Sequence, residues 1–267
     1  MTAPTKKPLA VVTGASSGIG LELAKQFAEH DFDLVVAAED DELEAATESL
    51  RSLGAEVESV RVDLRGFNGV EELVERVAGM ARPIAAVAIN AGVGISGAFV
   101  GETSLEDQLE VVDLNVRSSV HLAYRLLPTM VENGQGRVLF TSSIAATSPG
   151  PFMAVYNASK AFLSSLSQAL REELKDTGVT VTALMPGPTD TEFFDRAGME
   201  DTKLGTSSKD DPADVAKEGF TALMKGEDHV VAGSAKNTAQ AVAGHVLPDP
   251  VLTAQHRRMS EPGTADN

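Results

Sequence analysis

Leu9-Ala-Val-Val-Thr13-Gly14-Ala15-Ser16-Ser17-Gly18-Ile19-Gly20 decides the fold. Its first residues are apolar without alternation, the pattern of a strand buried on both faces. Three glycines follow, ahead of an amphipathic stretch over 18–29. Gly14 permits a tight turn, Gly18 lets the backbone approach a pyrophosphate, and Gly20 lets the helix pack close to the sheet. The start of that helix offers free N–H groups and a positive dipole end to phosphates. Ser16, Ser17 and Ile19 share this phosphate turn. The spacing is T-G-x-x-x-G-x-G, not G-x-G-x-x-G. A glycine-rich turn alone is a weak sign. Its place at the opening of a βαβ unit is what gives it weight.

Outward from this turn, short apolar runs alternate with longer amphipathic ones. Strands are expected over 9–13, 34–38, 57–62, 84–89, 137–141, 179–185 and 229–231. Helices are expected over 18–29, 41–53, 68–80, 105–132, 154–176 and 212–225. In the long helix over 105–132, Leu105, Leu109, Val112, Val116 and Val120 recur at steps of three and four. Continuous apolar strands alternating with helices predict a doubly wound α/β fold with a parallel sheet. No linker interrupts residues 1–232, which read as one domain. From 233 the pattern breaks. Two short helices are expected there as an extension packed on the same domain, before a polar tail over 260–267 that reads as frayed.

Composition removes several classes of function. The 267 residues carry a formal charge of −17, which argues against a nucleic-acid binder or an anionic membrane surface. There are no cysteines, so disulfides, thiolate nucleophiles and thiolate metal sites are excluded. His30, His121, His229, His245 and His256 are scattered and read as structural or surface residues, with no metal expected. No apolar run reaches the ~18 residues of a membrane span. The first eight residues lack a signal peptide's apolar region. The expected compartment is the cytoplasm.

Tyr156 and Lys160 stand at i and i+4, on one face at the start of a long helix. A free phenol has a pKa near ~10, and a neighbouring ammonium is expected to lower it. A tuned tyrosine can then exchange a proton with an alcohol or carbonyl in either direction. On spacing alone the pair reads better as the exposed face of an amphipathic helix.

The glycine turn, Asn90-Ala91-Gly92 after the fourth strand, and Tyr156-Asn-Ala-Ser-Lys160 together resemble the short-chain dehydrogenase/reductase family. The resemblance covers about residues 8–232. It implies a Rossmann-type fold with seven parallel strands in the order 3-2-1-4-5-6-7. It also implies a bound nicotinamide dinucleotide and hydride transfer between an alcohol and a ketone or aldehyde. Lys160 would then also hydrogen-bond the nicotinamide ribose. Ser143, thirteen residues before Tyr156, would hold the substrate oxygen, with Ser142 as the competing candidate. Asn115 would join Ser143, Tyr156 and Lys160 in a proton relay through a local helix distortion; it reads otherwise as a solvent-facing asparagine. Asn90 is expected to tie strands together beside the cofactor. Asp63 and Leu64 would contact the adenine, although Asp63 reads nearly as well as a helix cap. Pro186, Gly187, Thr189 and Thr191 would lie over the nicotinamide.

The same resemblance places the adenosine ribose at the end of the second strand. An acidic residue there favours NAD(H), and an arginine favours NADP(H). This chain has Ala38 at the usual acidic position, Glu39 one residue later where the arginine would stand, and Ser16 and Ser17 where a basic loop residue would stand. NAD(H) is therefore expected, with NADP(H) second. Glu39 turned to solvent would leave the preference weak.

Ligands in such sheets bind beyond the carboxyl ends of the strands. The loops there, 93–100, 144–153 and 188–210, carry Val93, Ile95, Phe99, Phe152, Met153, Phe193, Phe194, Met199 and Leu204. The first two hold no Arg or Lys, which points to a neutral or apolar carbonyl. Residues 188–210, with Gly198 and Gly205, are a candidate lid. Family members pair through the two long helices, so a homodimer or homotetramer is expected. Two other readings compete: a non-catalytic dinucleotide-binding module, which would not need Ser143, Tyr156 and Lys160, and another nucleotide-binding α/β enzyme such as a methyltransferase.

Overall fold

The computed structural model describes residues 6–265, without the His245 side chain. Residues 1–5, Asp266 and Asn267 lie outside it. Seven strands form one sheet in the order β3-β2-β1-β4-β5-β6-β7, and every pairing is parallel. They are β1 (Leu9–Thr13), β2 (Asp33–Ala38), β3 (Val57–Arg61), β4 (Ile84–Ile89), β5 (Gly136–Thr141), β6 (Val179–Pro186) and β7 (His229–Ala232). Every residue of β1 and β2 is buried, as continuous apolar runs require of central parallel strands. In the edge strand β3, Val57-Glu-Ser-Val-Arg61, only Val57 and Val60 are buried.

The helices are α1 (Gly18–Glu29), α2 (Glu42–Ser52), α3 (Phe67–Gly79), α4 (Leu105–Val111), α5 (Ser118–Glu132), α6 (Ala154–Glu173), α7 (Phe193–Arg196), α8 (Pro212–Lys225), α9 (Ala235–Val246) and α10 (Asp249–Ser260). They cover both faces and divide the core in two. One layer joins Val11, Val87, Val138 and Phe140 to Leu73, Leu122 and Leu126. The other joins Val12, Val36 and Leu139 to Leu23, Phe27, Phe220 and Leu223. The sheet reverses its winding between β1 and β4, and a crevice opens beyond their carboxyl ends.

Two features differ from expectation. The helix over 105–132 is not uniform: Val112–Arg117 is a π-helical segment between α4 and α5. Its regular apolar stripe also faces outward, with Leu105, Leu109, Val112 and Val120 exposed, while Val111, Leu114 and Leu122 enter the core. The tail, expected to fray, is tied down as far as it is described. Gly263 N–H donates to Asp201 Oδ2 (3.0 Å), Ala265 N–H to the Asp201 carbonyl (2.9 Å), and Lys203 N–H to Thr264 Oγ1 (3.1 Å).

Candidate active site

The glycine turn is built as its residues demand. Gly14 and Gly18 sit at φ +65° and +53°, the left-handed region that favours glycine. A β-carbon on Gly20 would come within 1.9 Å of the Gly14 carbonyl oxygen. Ser17 begins α1 without a side-chain cap, so the first turn's N–H groups are not closed off by it. Asn90 braces the turn from β4, donating from Nδ2 to the Thr13 carbonyl (3.1 Å) and accepting from Thr141 Oγ1 at 2.9 Å. That single amide joins β1, β4 and β5.

A cavity of about 770 Å³ runs along this edge of the sheet. Its lining includes Gly14, Ser16, Ser17, Gly18, Ile19, Gly20, Glu39, Asp63 and Leu64 toward one end. Asn90, Ala91, Gly92, Ser143, Tyr156, Lys160, Pro186, Gly187, Thr189 and Thr191 complete its walls. Thr191 crosses directly over the glycine turn, since a β-carbon on Gly18 would meet Thr191 Cγ2 at 2.9 Å. Val93, Ile95, Met153, Phe193, Phe194, Met199 and Leu204 line it too. Phe99 and Phe152, expected among them, do not: Phe99 is 61% exposed, and Phe152 lies under the Arg257 guanidinium, 5.4 Å from its ring centre.

Tyr156 and Lys160 are both buried in the first turns of α6. Lys160 Nζ donates to the Thr141 carbonyl at 2.9 Å. Burial pushes the Lys160 ammonium down to about 8. Burial likewise pushes the Tyr156 phenol up to about 12, against the opposing pull of a hydrogen bond with Ser143. This corrects the expectation of a lowered phenol. Both groups are out of water, and desolvation disfavours the charged form of each.

Ser143 faces the phenol, and its Oγ accepts from Ala145 N–H at 3.1 Å. Ser142 is spent elsewhere: its hydroxyl donates to the Lys160 carbonyl (2.7 Å) and meets Ser164 Oγ (2.8 Å). Alternation along the strand end separates the two serines.

Asn115 is fully buried in the π-helical segment, behind the cavity wall. Its Oδ1 accepts from Val93 N–H and its Nδ2 donates to the Val93 carbonyl, both at 2.9 Å. Nδ2 also reaches Ser159 Oγ at 3.0 Å. A β-carbon on Gly92 would lie 3.1 Å from Asn115 Oδ1 and 3.2 Å from Lys160 Nζ, so Gly92 fills the gap between them.

At the far end, Glu39 is engaged by Arg65, which also bonds Asp63 (2.9 Å) and Glu110 (3.2 Å). Burial would raise the Asp63 carboxyl, but its hydrogen bonds and charge contact with Arg65 outweigh this and hold it below the ordinary range. Asp40 accepts from Ser16 Oγ at 3.0 Å through Oδ2, while its buried Oδ1 has no partner among the described residues.

Sequence reading passed over several of these groups. Asp40 reads only as one more acid in Glu39-Asp-Asp-Glu42, and Arg65 as a surface charge. The larger omission is the extension. Asn237, Gln240 and Ala243 of α9 and Leu252, Gln255, His256 and Met259 of α10 line the cavity. Nothing in their pattern says which surface they cover. Their docking is specific: Asn237 Nδ2 donates to Asp210 Oδ2 (2.7 Å) and the Ala232 carbonyl (2.9 Å), and Leu204 N–H donates to the Met259 carbonyl (2.9 Å).

The same architecture recurs in known proteins. An uncharacterized oxidoreductase of Staphylococcus saprophyticus is 32% identical over 219 residues, covering 81% of this chain and 91% of that one. A short-chain dehydrogenase from Sphingobium yanoikuyae, solved in complex with NADPH, superposes with a TM-score of 0.78 at 31% identity, over 84% and 87% of the two chains. A short-chain dehydrogenase/reductase from Burkholderia phymatum, solved in complex with NAD, gives 0.79 at 26% identity, over 90% and 94%. The family model for short chain dehydrogenases matches residues 8–201, from β1 through α7, the part of the chain that carries the glycine turn, Ser143, Tyr156 and Lys160. On sequence and sheet order alike, this chain belongs to the short-chain dehydrogenase/reductase family of oxidoreductases.

Proposed function

We propose that the protein interconverts an alcohol and a ketone or aldehyde with a nicotinamide dinucleotide, NAD(H) in preference to NADP(H). The observation that carries the reading is the convergence of Ser143, Tyr156 and Lys160 on the same cavity as the glycine turn. The residues present fit such a cofactor. The two left-handed glycines and the uncapped start of α1 suit a pyrophosphate. The unpartnered Asp40 Oδ1 suits a hydroxyl donor.

The nicotinamide, when bound, accepts or supplies the hydride. The proton falls to the protein. Tyr156 Oη gives it to the substrate oxygen in reduction and takes it from the hydroxyl in oxidation. The buried phenol is protonated at neutral pH, the form reduction uses. Ser143 Oγ, which accepts from Ala145 N–H and bonds the phenol, can turn its hydrogen to the substrate oxygen. Its 3.4 Å contact with the Pro186 carbonyl is long and easily exchanged. Lys160 anchors on the Thr141 carbonyl and retains two N–H groups for a ribose and for the phenol side. Asn115 positions the Gly92–Val93 backbone beside Lys160.

Apolar side chains dominate the substrate end, among them Ile95, Met153, Phe193, Phe194, Met199 and Met259. They support a neutral, apolar carbonyl compound as substrate. The acidic corner of Glu39 and Asp40 supports NAD(H), because a 2′-phosphate would meet like charge. Absorbance near ~340 nm with NADH, NADPH and a panel of aldehydes and ketones tests the reading. Substrate-dependent loss of NADH absorbance is expected, and no turnover across the panel with either cofactor would defeat it.

A further inference from the structure

Among the described residues, the side chains lining the cavity include seven carboxylates, Glu39, Asp40, Asp63, Asp107, Glu110, Glu192 and Asp210, against the cations Lys160, Arg196 and Lys236 and the imidazole of His256. A dinucleotide brings a pyrophosphate of about two negative charges into that surrounding. The start of α1 offers an equivalent of only about half a positive charge. Lys160 is committed to the Thr141 carbonyl beside Tyr156, and Lys236 lies in the first turn of α9, in the extension. Arg196 stands beside the glycine turn. Arg196, at the end of α7, holds Nη1 4.0 Å from Asp40 Oδ2, the oxygen that Ser16 of the turn bonds. Its segment has just crossed the turn, where Thr191 covers Gly18.

We propose that Arg196 is a phosphate-binding residue, the cation that the segment between β6 and α8 carries across the groove to the cofactor's pyrophosphate. The inference rests on the dinucleotide reading above. Arg196 is half-exposed; its pair with the i−4 residue Glu192 is solvent-exposed and of the kind that binds weakly, and its contact with the largely buried Asp40 is long, at 4.0 Å. Exchanging them for a phosphate oxygen replaces a screened contact with a charge-assisted bond that a guanidinium makes in two-pronged geometry. The same short helix holds Phe193 against Tyr156, with ring centres 5.2 Å apart. A grip on the phosphates through Arg196 therefore also sets the wall of the substrate end.

The test is dissociation constants for NADH, ADP-ribose and adenosine, measured on the full chain, the Arg196→Gln variant and the Arg196→Lys variant. Arg196→Gln is expected to weaken NADH and ADP-ribose about tenfold and to leave adenosine unchanged, the size of one lost charge-assisted contact. Arg196→Lys is expected to recover part of the loss. NADH affinity unchanged within twofold in Arg196→Gln would overturn the proposal, as would an equal loss for adenosine, which lacks phosphate. Failure of the unaltered chain to bind NADH or NADPH would instead overturn the dinucleotide reading, and the Arg196 assignment with it.

Discussion

Lys160 Nζ stands 5.7 Å from the centre of the Tyr156 ring, and both side chains are buried. Burial favours a neutral phenol there, beside an ammonium lowered to about 8. Tyr156→Phe deletes the proton-transfer oxygen and keeps the ring against Phe193. It is expected to lower kcat by ~10²–10⁴-fold with NADH affinity retained, since general acids contribute on that scale. Parallel kinetics and NADH fluorescence titration check both halves. The pH profile of kcat/KM for NADH follows from the same pair. Lys160 is charged below about 8 and neutral above it, while Tyr156 stays protonated to about 12. Reduction is thus expected to be level below pH 8 and to decline above it. Lys160→Met should abolish that limb along with most activity.

His256 joins the extension to the catalytic helix. Its Nε2 lies 3.2 Å from Asn157 Nδ2, and its Nδ1 lies 3.0 Å from Ser260 Oγ. Asn157 already donates to the carbonyls of Ala145 and Ser148, both at 3.1 Å. A proton on Nε2 would face an amide nitrogen that has no lone pair to accept it. Burial lowers the His256 pKa below 6.5, and a backbone contact with Pro151 opposes this only in part. A depressed folded pKa means that stability is full above the unfolded value, about 6.5, and is lost as pH falls through the folded value. Faster hydrogen exchange across residues 249–260 is expected at pH 5 than at pH 7.5, after correction for intrinsic rates. His256→Gln should flatten the difference.

Glu39 and Asp40 make the proposed adenosine corner acidic even though Arg65 answers one of them. Glu39→Arg is expected to raise the NADPH-to-NADH ratio of kcat/KM by at least about tenfold. Unit charges ~4 Å apart interact by about 4 kcal/mol at an effective dielectric of ~20. Solvent screening reduces this several-fold, and about 1.4 kcal/mol is still tenfold. Kinetics on one substrate with both cofactors decide the matter, and an unaltered enzyme as efficient with NADPH as with NADH would refute the stated preference.

Leu105, Leu109, Val112 and Val120 lie exposed along α4, the π-helical segment and α5, with Tyr124 beyond them at 79% exposure. An apolar stripe of this kind is expected to be covered by a second copy of the chain across a two-fold axis. Sedimentation at micromolar protein should give at least twice 27.9 kDa. Leu109→Glu, which touches no catalytic side chain, should shift the mass toward the monomer.

The strands were legible because burial on both faces leaves an unmistakable apolar run, as in Leu34-Val-Val-Ala-Ala38. Ser143, Tyr156 and Lys160 were singled out through the family resemblance, which their spacing within one strand end and one helix turn carries; that spacing alone does not separate them from a helix surface. The stripe from Leu105 to Val120 shows where periodicity alone fails: it reports that a helix has an apolar face, not whether this chain's own core covers it. Arg65, Arg196 and His256 were illegible for a different reason. Each matters through a neighbour far away in sequence, such as Glu39, Asp40 or Asn157, and one chain without its fold carries no sign of such pairings.

The π-helical segment has a consequence for how this enzyme can change. An α-helix turns about 100° per residue, and a wider turn shifts the phase of everything before it relative to everything after. Asn115 lies within that segment, where it bonds Val93 and Ser159. Loss of a single residue from Val112–Arg117 would restore one uniform phase, turning Asn115 from Val93 and swinging Leu105 and Leu109 away from their present line with Val120 and Tyr124. Inner site and outer stripe thus share one helical phase, and a length change there cannot alter either without the other.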